Sequence, residues 1–246
     1  MNGVEHDRIM VWNQTKEKYK NVEEFPSEKI SGFDYIIPLK QYLNTKITFI
    51  KSDMIAEAVR LKLLKKKPLV LNMANWIRAG GSVDIGSVGQ EEECFRRSNY
   101  FKTLLQDFYP LEKLDTILSK NVEFYRQGAN VGYIYMENPV KLDMIAAPAI
   151  KYPKITKDNK MFFNKDDIML MEDKIRMLIQ IGVKNENNIL VLSAWGCGAF
   201  GCPPYHMAKI FKRVLKEYNG VFEEIIFAIV GPNYELFKNS WEEVFI

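Results

Sequence analysis

Three consecutive carboxylates, Glu91, Glu92 and Glu93, follow Gln90 and a glycine-rich stretch at residues 79–89 that contains Gly80, Gly81, Gly86 and Gly89. A carboxyl group can protonate a leaving oxygen and later take a proton from water. Such groups lie here beside glycines that lower the steric cost of a backbone approaching a ligand closely. At the start of a helix the same acids also complement unpaired amides and the helix dipole, which is a purely structural use. A second loop, residues 195–204, reads Trp-Gly-Cys-Gly-Ala-Phe-Gly-Cys-Pro-Pro. Gly196, Gly198 and Gly201 free backbone amides there, and Pro203 and Pro204 can open the following helix, so a diphosphate is a natural guest. Cys197, Cys202 and His206, with Cys94, have spacings compatible with zinc. Cys197 also has a ready place in the glycine loop, and no metal is assigned. The other histidine, His6, lies far away at the N-terminus, which argues against a histidine-based triad.

The elements that must carry these loops are legible in part. Residues 68–73 (PLVLNM) and 189–193 (ILVLS) are continuous apolar runs of the kind buried in parallel sheets. Further strands are predicted at 46–50, 131–136, 144–147 and 225–230, and helices at 53–65, 166–181, 205–218 and 234–245. Residues 90–108 have a loosely helical spacing of Phe95, Tyr100, Leu104 and Phe108. This alternation predicts an α/β fold: a three-layer sandwich with a mostly parallel central sheet and helices on both faces. In such folds ligands bind beyond the carboxyl ends of the strands, where both glycine loops fall. Residues 1–44 are polar, broken by Pro26 and Pro38, with one apolar cluster at 35–37. They read as an N-terminal extension packing on a domain of residues 45–246. Ser52 or Asp53 is expected to cap a helix, and Lys65, Lys66 and Lys67 to form its solvated end.

The two loops together resemble those of microbial-type poly(ADP-ribose) glycohydrolases, a macrodomain-like family. In that family a triple glycine is followed after six to eight residues by Gln-Glu-Glu. Here Gly80-Gly81-Ser82 is followed after seven by Gln90-Glu91-Glu92, and Arg96, Ser98 and Asn99 resemble the continuation, which sets the register against Glu93. Asn72-Met73-Ala74-Asn75 is similar to the Asn-x-Ala-Asn that ends a central strand, and residues 195–201 to the family's Trp-Gly-Cys-Gly-x-Phe-Gly loop. Ser82 for the third glycine, the bulky Trp76-Ile77-Arg78, and Cys202 for the usual asparagine are departures.

The resemblance implies hydrolysis of ribose–ribose O-glycosidic bonds with release of ADP-ribose. Glu92 would be the general acid and base, and Glu91 would hold ribose hydroxyls. Asn75, Gly80, Gly81, Ser82, Gln90, Gly196, Cys197, Gly198, Ala199, Phe200 and Gly201 would bind substrate. No cofactor is implied, and the partners would be ADP-ribose or poly(ADP-ribose) on modified proteins. Glu92, as a carboxyl group buried close to another carboxylate, would have its pKa raised towards the working range. The same loops would also serve a non-catalytic ADP-ribose reader or a mono-ADP-ribosyl hydrolase.

Composition bounds this picture without selecting it. With 246 residues, 47% of them hydrophobic and 26% charged, the chain can bury one sizeable core. A net charge of +3 gives no electrostatic argument for nucleic-acid or membrane binding. No apolar run approaches the roughly 20 residues of a membrane span, and the N-terminus lacks the pattern of a signal peptide. Three sparse cysteines fit a reducing compartment, so an intracellular protein, cytoplasmic or nuclear, is expected.

Overall fold

The computed structural model describes residues 3–35 and 38–243, so two residues of the predicted apolar cluster, Ile36 and Ile37, lie outside the described residues. The described strands are β1 (Ser27–Ser31), β2 (Lys46–Ile50), β3 (Pro68–Met73), β4 (Asp115–Arg126), β5 (Tyr135–Ala147), β6 (Ile189–Leu192) and β7 (Glu224–Ala228). They make one mixed sheet in the order β1-β4-β5-β3-β6-β7-β2. The helices are α1 (Gly3–Lys18), α2 (Met54–Leu63), α3 (Gln90–Arg97), α4 (Lys165–Lys184), α5 (Pro204–Glu217) and α6 (Asn233–Glu242). The chain divides into two compact units, Met1–Ser31 with Asn72–Pro148 and Gly32–Leu71 with Ala149–Ile246, and β3 contributes residues to both.

In the second unit the strands run parallel, with Val70 opposite Val191, Leu190 opposite Ile225, and Ile50 opposite Ala228. The apolar residues 68–71 of β3 and all of β6 are buried, as strands covered on both faces must be. Edge strand β2 is only half-buried, and its Lys46 pairs with Glu224 at 2.8 Å. Helix α2 starts where Asp53 accepts the Ala56 N–H at 2.7 Å. It ends with Lys65 at φ 60°, while the Lys66 N–H reaches back to the Leu61 carbonyl at 3.1 Å. Phe49, Phe211, Phe227, Phe237 and Trp241 form an aromatic cluster, with the Phe49 and Phe227 rings stacked 5.1 Å apart.

In the first unit β4 pairs antiparallel with both β1 and β5. The sequence reading missed β4 because Lys120 and Asn121 interrupt its apolar pattern. Asn121 has φ 57°, and the register shifts between Ser119 and Val122, which marks a bulge. Strand β1 escaped notice because an edge strand needs few apolar residues. Ser27 meets Ser119 at 2.6 Å, and the Ser31 hydroxyl donates to Asp115 at 2.6 Å.

Two predicted elements are corrected here. The strand expected at 131–136 is a 3-10 turn at Ala129–Val131 followed by Gly132 and Tyr133, both at positive φ, and the strand itself begins at Tyr135. The helical spacing at 90–108 stops at Arg97. Ser98 is extended and pairs with Phe124, and its hydroxyl donates to the Cys94 carbonyl and accepts the Tyr100 N–H.

Candidate active site

The first glycine loop is tied to the strand that precedes it through the opening turn of α3. Gln90 Oε1 accepts the Met73 N–H at 2.8 Å, and Glu91 accepts the Asn75 N–H at 2.7 Å and the Asn72 side-chain amide at 3.3 Å. Backbone donors at a strand end thus hold two consecutive side chains of α3, which fixes where the helix starts. Glu91 is only 3% exposed. Burial pushes its pKa from 4.5 up to about 8, the Asn75 hydrogen bond opposes this, the Glu92 charge adds to it, and Asn72 and the Gly80 backbone oppose it more weakly.

Glu92 is held quite differently. Its Oε1 accepts the Ser82 N–H at 3.0 Å. A β-carbon added to Gly81 would lie 2.6 Å from Oε1, and one added to Gly89 would lie 2.1 Å from Oε2. The carboxylate therefore occupies space that any side chain at either position would need, and Gly81 also sits at φ 56°. Gly80, at φ 74°, has the Phe95 ring where its β-carbon would be. The Ser82 hydroxyl accepts from Arg78 at 3.0 Å. Asn75 Oδ1 accepts the Ile77 N–H at 2.8 Å, an Asx turn that leaves its Nδ2 donor unused among the described residues. Glu93 is taken by Arg96 at 3.1 Å and by the Tyr133 hydroxyl, so the three adjacent glutamates have three different surroundings.

Helix α1 braces this loop. Trp12 Nε1 donates to Asp84 at 2.6 Å, Arg8 donates to the Gly86 carbonyl at 3.4 Å, and the Trp12 ring lies 5.9 Å from that of Phe95. Trp12, Asp84 and Arg8 were not singled out from the sequence, and neither was Tyr109, whose hydroxyl stands 3.5 Å from Glu91 Oε1. Nothing local in the chain announces a partner eighteen residues away. Gly89 had a detectable signal, since it is the last glycine before the acidic run.

The second loop lies wholly in the second unit. Gly196, at φ 75°, is enforced by Ala149 and Cys202, each 2.7 Å from where its β-carbon would be. Internal bonds from the Cys197 N–H to the Ala194 carbonyl, from Gly201 to Gly198 and from Cys202 to Gly196, at 3.0 Å each, close the loop into successive turns. Asn233 Nδ2 supports it by donating to the Cys197 carbonyl at 3.0 Å. Among the described residues the N–H groups of Gly198, Ala199 and Phe200 have no protein partner, and Gly198 and Ala199 are exposed. A run of unpaired amides is what an anion requires. Pro203 and Pro204 open α5 directly after it.

The residues considered for zinc are engaged otherwise. His206 Nδ1 accepts the Phe162 N–H at 3.0 Å, and burial lowers its pKa from 6.5 to about 4. Cys202 Sγ lies 3.2 Å from the Ile150 carbonyl. No three of the described histidine, cysteine, aspartate and glutamate residues are gathered for a metal.

The mixed α/β sheet has a glutamate-bearing glycine loop after β3 and an amide-bearing glycine loop after β6, on a macrodomain-like fold. Residues 8–127 match the family described as microbial-type PARG, catalytic domain. Crystal structures of bacterial poly(ADP-ribose) glycohydrolases share the fold. The enzyme from Thermomonospora curvata superposes with a TM-score of 0.81 at 19% identity, over 96% of this chain and 99% of the other. Its complex with the inhibitor ADP-HPD gives a TM-score of 0.79 at 19% identity, covering 95% and 99%. The Deinococcus radiodurans enzyme in complex with ADP-ribose gives 0.70 at 21% identity, covering 98% of each chain. No curated protein matches the chain in sequence.

Proposed function

We propose that this protein is a poly(ADP-ribose) glycohydrolase that breaks the ribose–ribose O-glycosidic bond and releases ADP-ribose. The observation that carries the reading is the contrast between two adjacent glutamates. Glu91 is buried and bonded to the strand end, while Glu92 is held on the Ser82 amide with its carboxylate in the space left free by the missing side chains of Gly81 and Gly89. Glu92 gives its proton to the oxygen that leaves as the anomeric carbon becomes cationic. The resulting carboxylate takes a proton from the attacking water, whose oxygen bonds to that carbon, and the acid is restored. Glu91, with Asn75 Nδ2, positions the ribose. The unpaired amides of Gly198, Ala199 and Phe200 receive the diphosphate, beside Gly196, Cys197 and Gly201, which shape their loop. Gln90 and the Gly80-Gly81-Ser82 turn hold the glutamates in register.

The substrate on this reading is poly(ADP-ribose) attached to modified proteins. We place the activity inside the cell, supported by the sparse cysteines, Cys94, Cys197 and Cys202, which form no disulfide framework among the described residues. No described helix is long and apolar enough to cross a membrane. Incubating the protein with automodified polymer and assaying free ADP-ribose tests the activity. Release is expected, whereas polymer that is bound but left intact would make the protein a reader of ADP-ribose.

A further inference from the structure

The segment between β5 and α4 carries a lysine at 151, 154, 157 and 160, every third position, with aromatic residues among them. All four lysines are exposed, and none forms a salt bridge among the described residues. Lys151 lies 5.1 Å from the Tyr152 ring centre, Lys154 4.3 Å from that of Phe163, and Lys160 5.9 Å from that of Tyr205. Tyr152 and Phe163 are 71% and 58% exposed, which is costly for aromatic surface with no occupant. The acids nearby are otherwise occupied. Asp158 is bonded to the Thr156 hydroxyl and the Lys160 N–H, and Glu243, which also feels Lys160, pairs with Lys209 at 3.2 Å.

The segment is rigidly presented. Ile155 pairs with Phe162, the Phe163 N–H donates to the Lys154 carbonyl at 2.8 Å, and the buried Phe162 is pinned on His206 of α5. It is also continuous with the amide loop, because the Tyr152 N–H donates to the Phe200 carbonyl at 2.7 Å. Tyr152 does this at φ 52°, a conformation that L residues avoid, and its ring lies 3.8 Å from where a Gly201 β-carbon would be.

Four exposed cations flanked by two exposed rings, Tyr152 and Phe163, and joined to the loop of unpaired amides, match a ligand that carries both phosphates and bases. We infer that this hairpin is a subsite for the ADP-ribose unit adjoining the one held on the second loop, so that the protein grips polymer rather than its terminal unit alone. The inference rests on the proposed activity and deepens it. Lysines would meet the adjoining diphosphate, and Tyr152 or Phe163 would stack on its adenine.

The test compares ADP-ribose, oligomers of a few ADP-ribose units and single-stranded RNA of equal charge, bound to the full chain and to a Lys151→Glu/Lys154→Glu variant. The parent should bind oligomer roughly tenfold or more tighter than ADP-ribose, with an advantage that falls as salt rises. The variant should lose that advantage, as a raised KM for polymer at constant kcat, and keep its affinity for ADP-ribose and its melting temperature. Tyr152→Ala should cause a loss that persists at high salt. Equal affinity for oligomer and monomer, or an unchanged variant, would overturn the subsite while leaving ADP-ribose binding in place. RNA bound as tightly as oligomer would overturn its assignment to polymer. Failure to bind ADP-ribose would remove the underlying activity and the subsite with it.

Discussion

At the level of single residues, the structure separates two glutamates that the sequence presents as a run. A raised pKa belongs to Glu91, because its surroundings remove water from the carboxyl group faster than Asn72 and Asn75 replace it. A carboxyl pKa that is higher in the folded than in the unfolded chain stabilises the fold below the unfolded value near 4.5. That contribution is lost as the pH rises towards about 8. Replacing Glu91 by Gln should therefore flatten the decline in stability across this window, giving a variant that melts above the parent at pH 8 and not at pH 4. Parallel melting curves at all pH values would show that Glu91 does not titrate there. Glu92 depends on its glycine neighbours instead. Gly81→Ala places a methyl group 2.6 Å from the Glu92 carboxylate, at a backbone angle that alanine resists. Turnover should drop by on the order of a hundredfold, as displacement of a catalytic group by about an ångström does. An alanine variant with parental kcat would show that the glycine is conformational only.

At the level of elements, helix α1 is the component whose role the sequence concealed. Its buried face is Val11, Trp12 and Thr15, with Tyr19 just beyond it, and Thr15 breaks the apolar pattern on which helix recognition depends. Thr15 is nonetheless fully buried, with its hydroxyl 2.7 Å from the Arg96 carbonyl and 2.7 Å from the Tyr125 hydroxyl. Strands β1 and β4 were hidden for related reasons, one by polarity at an edge and the other by a bulge. The long apolar runs of β3 and β6 were plain because parallel strands buried on both faces admit little else. Because α1 holds the 3-10 turn at Val83–Ile85 through Trp12 and Asp84, Trp12→Phe should keep the packing and lose that hydrogen bond. A stability cost of about 1 kcal/mol is expected. Hydrogen exchange should accelerate selectively at the amides of residues 80–86. Unchanged exchange there would mean that the helix packs beside the loop without bracing it.

At the level of the whole molecule, the α/β fold class and the buried strands β3 and β6 with a glycine loop after each were legible from two apolar runs and the glycines that follow them. Local patterns could reveal this much because glycine turns and the strands before them are adjacent in the chain. They could not reveal Tyr109 beside Glu91, or Tyr152 against Phe200, since those neighbours are set by folding over long separations. They also could not give the bonding partners of the three glutamates, which depend on the direction of each side chain around one helical turn. The central claim is that Glu92 performs the proton transfers while the rest of the machinery binds. Glu92→Gln preserves shape and removes the acid, so release of ADP-ribose from automodified polymer should fall by a factor of about 10² to 10⁴. Affinity for ADP-ribose should stay near that of the parent. Equal release by the two proteins would contradict the account.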